Sequence, residues 1–266
     1  MNFFKNLLAY CLQAILQKFQ FKLNGKAYCF LMNLISKKEL AYEYENSNYS
    51  VTENNSKVYF LKQRGHYYAK GINERTQNLV KSYNIDKIEF YEDDLIVDVG
   101  ANNGDLIPYF IKQKYIGFEP APAEFNVLYK NKTANCTIYN NCAGDVESIT
   151  DFFISSLGAN SSLYRPTNIE SIVSIKIIRL DNIIQNKVKL LKVDAEGAEF
   201  EVINGAKNIM HLIEFIAIDL GFEKGEKQES TAPEVFNLLY KNHFKLLEIS
   251  KNERYLFQNS TILPRP

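Results

Sequence analysis

Leu95-Ile-Val-Asp-Val-Gly-Ala-Asn-Asn-Gly-Asp105 reads as a buried strand running into a glycine turn. Its first five residues form an apolar run, preceded by Glu92, Asp93 and Asp94. That pattern suits a parallel strand covered on both faces. Gly100 and Gly104 permit positive φ and let a ligand approach the backbone. Beyond them Leu106, Ile107, Phe110 and Ile111 recur at helical spacing and predict a helix. Strand, glycine loop and helix in that order make a nucleotide-type pocket at a helix N-terminus.

Further strands and helices alternate outward from this core. Residues 114–119 predict a second strand ending in Glu119, and residues 123–132 a helix. Residues 136–142 predict a third strand, and 149–155 and 171–180 two further β runs. The strand at 188–193 leads to a helix from Ala198; the strand at 214–220 leads to a helix starting at Pro233, which suits a first turn. Residues 244–248 and 255–257 suit a closing antiparallel pair. Repeated βα units predict an open, mostly parallel sheet with helices on both faces.

Ahead of this lies a different kind of sequence. Phe4, Leu8, Cys11, Ile15 and Phe19 share one helical face, so residues 1–23 predict an amphipathic helix. Its apolar centre is too short to span a bilayer, and no small-residue cleavage site follows it. It either packs on the protein or a dimer partner, or touches a membrane surface with Lys5, Lys18 and Lys22 flanking. Residues 36–57 are polar and read as a linker or an exposed segment, and residues 57–62 as a strand. His66-Tyr67-Tyr68 reads as a loop before a helix at residues 72–83.

Lys plus Arg equals Asp plus Glu at 31 each, so no global positive field draws the chain to nucleic acid. Cys11, Cys29, Cys136 and Cys142 lack CxxC spacing, which speaks against a zinc site or a disulfide framework and for reduced thiols in a cytoplasmic protein.

Ligands of such sheets bind beyond the carboxyl ends of the strands. Asp98 and Asn102 border the glycine loop there, and Glu119 closes the next strand, placed to accept both hydroxyls of an adenosine ribose. Asp-x-Gly-x-Asn-x-Gly departs from the Gly-x-Gly-x-x-Gly dinucleotide fingerprint at Asn102. The bulkier loop disfavours a pyrophosphate, hence an NAD-dependent oxidoreductase, and favours a ligand with an amino-acid tail. Asp145 could accept from an adenine amino group or be a solvated turn residue. Asp194, Glu196 and Glu199 crowd a strand-to-helix junction where capping is an alternative for the two glutamates. Asp219 ends the following strand. If the two strands are neighbours, Asp194 and Asp219 reach one site, where they could hold a divalent metal or act as general base on a hydroxyl.

Together these residues resemble the FkbM family of class I S-adenosylmethionine-dependent methyltransferases. The motifs that carry the resemblance are Val97-Asp-Val-Gly-Ala-Asn-Asn-Gly104, Gly117-Phe-Glu-Pro120, Ala143-Gly-Asp145, Ser161-Ser-Leu163, Arg179-Leu-Asp181, Leu191-Lys-Val-Asp-Ala-Glu-Gly-Ala-Glu199 and Gly205-Ala206. The resemblance implies a Rossmann-like, seven-stranded, mostly parallel sheet with an antiparallel last strand, spanning residues 91–266, after an N-terminal helical extension over residues 1–90. It implies S-adenosylmethionine seated on Asp98, Gly100, Asn102, Gly104 and Glu119, with Asp145 near adenine. It also implies methyl transfer to a hydroxyl, often of a sugar or a polyketide-type product. Asp194 is then the acid nearest the acceptor, Glu196 the second choice and Asp219 a partner in proton removal or metal binding. The family pattern usually has a glutamate where this chain has Asp219. The expected acceptor is a sugar of a bacterial surface glycan, with a lipid- or peptide-linked hydroxyl as the alternative. Arg165 and His66 are further candidates for contacting it.

Overall fold

A computed structural model describes residues 22–155, 161–166 and 168–263. The amphipathic stretch expected at residues 1–23 falls almost wholly outside the described residues. The chain divides into two compact units, the first ending at Asn78 and the second beginning at Leu79.

In the first unit, helix α1 (Gly25–Ile35) is followed by the strands β1 (Leu40–Glu45), β2 (Asn48–Glu53) and β3 (Ser56–Phe60). The strands pair in order as a three-stranded antiparallel sheet. Residues 40–57 therefore form paired strands rather than a linker, although much of the stretch is exposed as its polarity suggests. Leu40, Tyr42, Val51 and Val58 point inward from an otherwise polar ribbon, while Asn46, Ser47 and Asn54 adopt the left-handed conformation that tight hairpins need. Asn24 caps α1 by accepting from the Ala27 N–H at 2.9 Å. Tyr28, Cys29 and Met32 of α1 pack with Val51, Val58 and Phe60 in this unit's own core. Helix α2 (Ile72–Ser82) follows a 3-10 turn at Lys62–Tyr68.

The second unit is built on a seven-stranded sheet. Its elements run β4 (Leu95–Val99), β5 (Lys114–Phe118), α3 (Pro122–Asn131), β6 (Cys136–Tyr139), β7 (Cys142–Ala143), β8 (Ser148–Ser155) and β9 (Ile169–Ile178). They continue with β10 (Val188–Val193), α4 (Glu199–Gly205), β11 (Ile213–Asp219), β12 (Phe222–Lys224), β13 (Glu229–Ser230), α5 (Ala232–Lys241), β14 (Phe244–Ile249) and β15 (Arg254–Asn259). The large sheet has the order β14-β15-β11-β10-β4-β5-β6. Every pairing in it is parallel except those of β15, which runs against both β11 and β14. This is the Rossmann-like class I methyltransferase arrangement, with its reversed last strand. The order switches direction between β4 and β10, and the carboxyl ends of those two strands are where sheets of this kind bind ligands.

Alternation along each strand feeds two cores. Val97, Val99, Leu191, Val193, Ile216 and Ile218 meet α4 and α5 on one face. Ile96, Leu190, Phe215 and Ala217 face Val80, Tyr83, Phe110 and Leu128 on the other.

Two local expectations are corrected. Residues 106–111 do not make a regular helix. The segment descends through short turns, such as Ile107 N–H to Gly104 O at 3.0 Å and Gln113 N–H to Phe110 O at 3.2 Å. Pro108 has no N–H to give to Gly104, so the residue directly after the apolar pair Leu106-Ile107 interrupts the helical ladder. The apolar spacing is still used, because Leu106, Ile107 and Phe110 are buried. The expected third strand at residues 136–142 is split: β6 joins the large sheet, whereas β7 pairs with β9 in a separate three-stranded sheet with β8.

Candidate active site

The glycine loop is shaped by close backbone contacts. Gly100 has φ +77°, and a Cβ there would lie 2.0 Å from the Asp194 carbonyl oxygen. Only glycine lets β4 and β10 approach so closely at their ends. Gly104 has φ +82°, with a side-chain position filled by Ile107 and Leu128. Asn102 is left-handed at φ +49°, and its side chain accepts from the Asn103 N–H at 2.9 Å.

Glu119 closes this loop from β5. Its Oε2 accepts from the Asn102 N–H at 2.8 Å and its Oε1 from the Ala121 N–H at 2.9 Å. A carboxylate offers about four acceptor positions, so these bonds orient Glu119 and still let it receive hydroxyls. Asp98 lies deeper than a lining residue would. It is 1% exposed, takes the Tyr115 hydroxyl on Oδ2 at 2.5 Å and stands 3.0 Å from Lys192 Nζ. Asp145, half-buried, accepts from the Asn204 amide at 2.9 Å, and its carbonyl oxygen accepts from Arg179. Arg179 is in turn clamped on both oxygens of Asp181. Gly205 completes that corner, since a Cβ there would meet Gly144 O at 2.0 Å.

Across the sheet the polar residues of one face form a row of alternating charge. Asp98 of β4 is in register with Lys192 of β10, and Asp219 of β11 with Arg254 of β15. Asp219 Oδ2 accepts from Arg254 Nε at 2.6 Å, while its Oδ1 takes the Gly221 N–H at 3.2 Å. Tyr83 lies over the row. Its ring centre is 4.3 Å from the Arg254 guanidinium and 5.4 Å from Lys192 Nζ, and its hydroxyl donates to Asp194 Oδ2 at 2.6 Å. Burial opposes the Lys192 charge, yet Asp98 and then Asp194 hold its pKa above the usual lysine value. Burial, followed by the neighbouring Asp194, pushes the Tyr83 phenol well up, so it acts as a donor.

Asp194 is thus held, and two other acids complete its surroundings. Glu196 sits in the turn after it at φ +50°, an uncommon conformation for a non-glycine residue. The Ser162 hydroxyl pins that turn by donating to the Glu196 carbonyl oxygen at 2.6 Å. Glu223 arrives on β12. A Cβ on Gly197 would lie 2.7 Å from Lys224 Cα, so this glycine lets the β12–β13 hairpin lie against the turn. Carboxylate oxygens of Asp194, Glu196 and Glu223 lie within 4.8 Å of one another, close enough to share a divalent cation or a proton. Burial first, and Asp194 next, raise Glu196 to about 10 and Glu223 to about 8.

Strands β10 and β11 are neighbours, so Asp194 and Asp219 do fall on one end of the sheet. Asp219 is engaged by Arg254, however, and the third acid beside Asp194 and Glu196 is Glu223. The pKa direction of Asp219 is also upward, from burial and then Asp194. Glu199 is a cap: Oε1 takes the Ala195 and Gly197 N–H groups at 3.0 Å each, and Oε2 takes the Thr231 hydroxyl at 2.9 Å. Burial still lifts it to about 7. Arg165 makes an exposed pair with Glu226 at 3.4 Å. Sequence reasoning passed over Tyr83, Lys192, Glu223 and Arg254. Lys192 alone had a local signal, a lysine inside a buried strand two residues before an acid.

Comparison with known proteins gives concordant matches. The family model described as the methyltransferase FkbM domain matches residues 98–246. Methyltransferase 1 of Beauveria bassiana is 28% identical over 175 residues, covering 53% of this chain and 70% of that protein. Hexuronic acid methyltransferase AglP of Haloferax volcanii is 29% identical over 144 residues, covering 50% of this chain and 58% of that protein. A crystal structure of methyltransferase FkbM from Methylobacillus flagellatus KT aligns at 17% identity and a TM-score of 0.48, covering 74% of this chain and 54% of the other.

Proposed function

The chain belongs to the FkbM methyltransferase family, and from that premise we propose that it transfers the methyl group of S-adenosylmethionine to a hydroxyl of a sugar. The observation that carries the proposal is the junction of β4 and β10. There a glycine loop floored by Glu119 borders an acidic pocket of Asp194, Glu196 and Glu223. The loop suits the cofactor. Its two glycines and left-handed Asn102 let the loop turn tightly against its neighbours, and Glu119, fixed by two backbone N–H groups, is our candidate for the ribose hydroxyls. Asp145, which accepts from the Asn204 amide, is our candidate for the adenine amino group.

S-adenosylmethionine, when bound, supplies a methyl group already activated by the sulfonium. The protein then has to hold the acceptor oxygen in line and let it lose its proton. Asp194 is the residue placed for that task, because Tyr83 and Lys192 orient it at the strand end. Burial and Asp194 push Glu196 and Glu223 toward the protonated form, in which they can donate hydrogen bonds to neighbouring hydroxyls of a polyol. A divalent cation on the same three acids would serve the alternative of metal-assisted deprotonation.

The name of the Haloferax relative supports a saccharide acceptor. It also raises a second reading, a uronic acid. Three acids in close contact disfavour an acceptor that adds a further negative charge unless a cation joins them. Titration calorimetry with S-adenosylmethionine, then mass-spectrometric assay on methyl glucoside and methyl glucuronide with and without Mg²⁺, tests the proposal. Cofactor binding with methylation of the neutral sugar is expected. Absence of cofactor affinity would overturn the methyl-transfer reading, and binding without sugar methylation would overturn the acceptor class.

A further inference from the structure

Helix α1 of the first unit has two faces of different character. Gly25, Tyr28, Cys29 and Met32 are buried, and Gly25 lies so near the Tyr44 ring that a Cβ would stand 2.3 Å from it. The other face is exposed and reads Lys26, Phe30, Asn33 and Leu34, a stripe at helical spacing, with Lys37 just beyond the helix end. Phe30 and Leu34 are 64% and 63% exposed, large apolar side chains one turn apart.

The charge around this stripe is one-sided. Residues 1–38 contain six lysines (Lys5, Lys18, Lys22, Lys26, Lys37 and Lys38) and no aspartate or glutamate. The first carboxylate is Glu39, and the rest of the chain carries the compensating negative charge. Lys37 meets Glu74 at 3.3 Å, but both are exposed and such a pair holds weakly. The sequence before α1 repeats the composition, with Phe3, Phe4, Leu7, Leu8, Leu12, Ile15, Leu16 and Phe19 among its lysines. Aromatic and aliphatic side chains flanked by lysines match the interface of an anionic bilayer.

We propose that the exposed face of α1, led by Phe30 and Leu34 and framed by Lys26, Lys37 and Lys38, docks on an anionic membrane surface. Phe30 and Leu34 enter the boundary between headgroups and acyl chains, while the lysines meet lipid phosphates. The contact is peripheral, because among the described residues no helix is long and apolar enough to cross a membrane. This inference stands apart from the methyl-transfer reading, and either can fail without the other.

Flotation of the full chain tests it, with phosphatidylcholine vesicles containing about 30% phosphatidylserine and with phosphatidylcholine alone. Binding to the anionic vesicles only is expected, weakening at least tenfold between about 0.1 M and about 0.5 M salt. Phe30→Ser with Leu34→Ser should lower partitioning more than tenfold, and Lys26→Glu roughly fivefold or more. Both apolar positions are exposed, so these variants keep the core, which circular dichroism checks. Absence of flotation overturns the proposal. So does flotation unchanged by the Phe30 and Leu34 changes, which would assign binding to residues 1–21 alone. A dimer in sedimentation that the same two changes dissolve would make a second copy the occupant, and also overturns it.

Discussion

Asp194 gathers most of the site's interactions. One of its oxygens takes the Tyr83 hydroxyl at 2.6 Å and lies 3.8 Å from Lys192 Nζ. Asp194→Asn should lower kcat by about 10²–10⁴-fold, with the Kd for S-adenosylmethionine nearly unchanged. Methyl transfer at the wild-type rate would remove Asp194 from the chemistry. Tyr83→Phe removes a bond to a charged group, worth about 1.5–3 kcal/mol, and should cost roughly 10- to 100-fold in kcat. If Tyr83 acts through Asp194, the double variant is no slower than Asp194→Asn alone. Additive losses would show that the phenol acts elsewhere. Glu196 and Glu223 make a second demand, through pH. Each is raised from 4.5, to about 10 and about 8, so the folded protein holds protons that the unfolded chain releases. Their contribution to stability is full below pH 4.5 and is lost as pH climbs through 8 toward 10. Tm should therefore fall from pH 7 to pH 9, and Glu223→Gln should flatten that fall by about 1 kcal/mol, roughly 2–4 °C at this size. An equal slope in the variant would contradict the assignment.

The junction of β4 and β10 sets tighter limits than any side chain. A methyl group at Gly100 would sit 2.0 Å from the Asp194 carbonyl while forcing alanine into φ +77°. Gly100→Ala should cost more than about 3 kcal/mol in stability and abolish cofactor binding. A variant that folds and binds normally would mean the two strand ends can part. At this scale the sequence was most legible. The run at Leu95–Val99, the strand at Val188–Val193 and the closing pair of β14 and β15 follow from patterning, whereas the reversal of β15 against β11 followed from the family resemblance. Spacing was misleading where one residue vetoed it, as Pro108 does for the helix after the loop. Polarity hid the strands at residues 40–57, where a two-residue period had to be noticed within charged sequence. Two of the three acids were readable, since Asp194 and Glu196 share one motif. Glu223 was not, because it reaches them by a hairpin that only Gly197 admits, and no local pattern reports such a contact. Arg254 and Tyr83 were hidden too: Arg254 joins the site through the pairing of β15 with β11, and Tyr83 by packing over that sheet face from just past the end of α2.

On the scale of the whole molecule, each unit has its own core, one around Tyr28, Val51 and Phe60, the others on the two faces of the large sheet. The proposed cofactor seat lies wholly in the unit that begins at Leu79. Ligand binding then has to appear as stabilisation of that unit. A ligand present at about 100 times its Kd adds about 2.7 kcal/mol to folding, or roughly 5–10 °C in Tm at this size. S-adenosylmethionine should produce such a shift, followed by tryptophan-free signals such as far-ultraviolet dichroism because the chain has no tryptophan. Glu119→Ala should erase most of the shift at the same ligand concentration. It removes the carboxylate that takes the Asn102 and Ala121 N–H groups, and with it the proposed partner of the ribose. NAD should give no comparable shift, because Asn102 occupies the place where a dinucleotide loop needs a second glycine. A full shift with NAD, or one that survives Glu119→Ala, would move the cofactor away from this loop even if the family assignment stands.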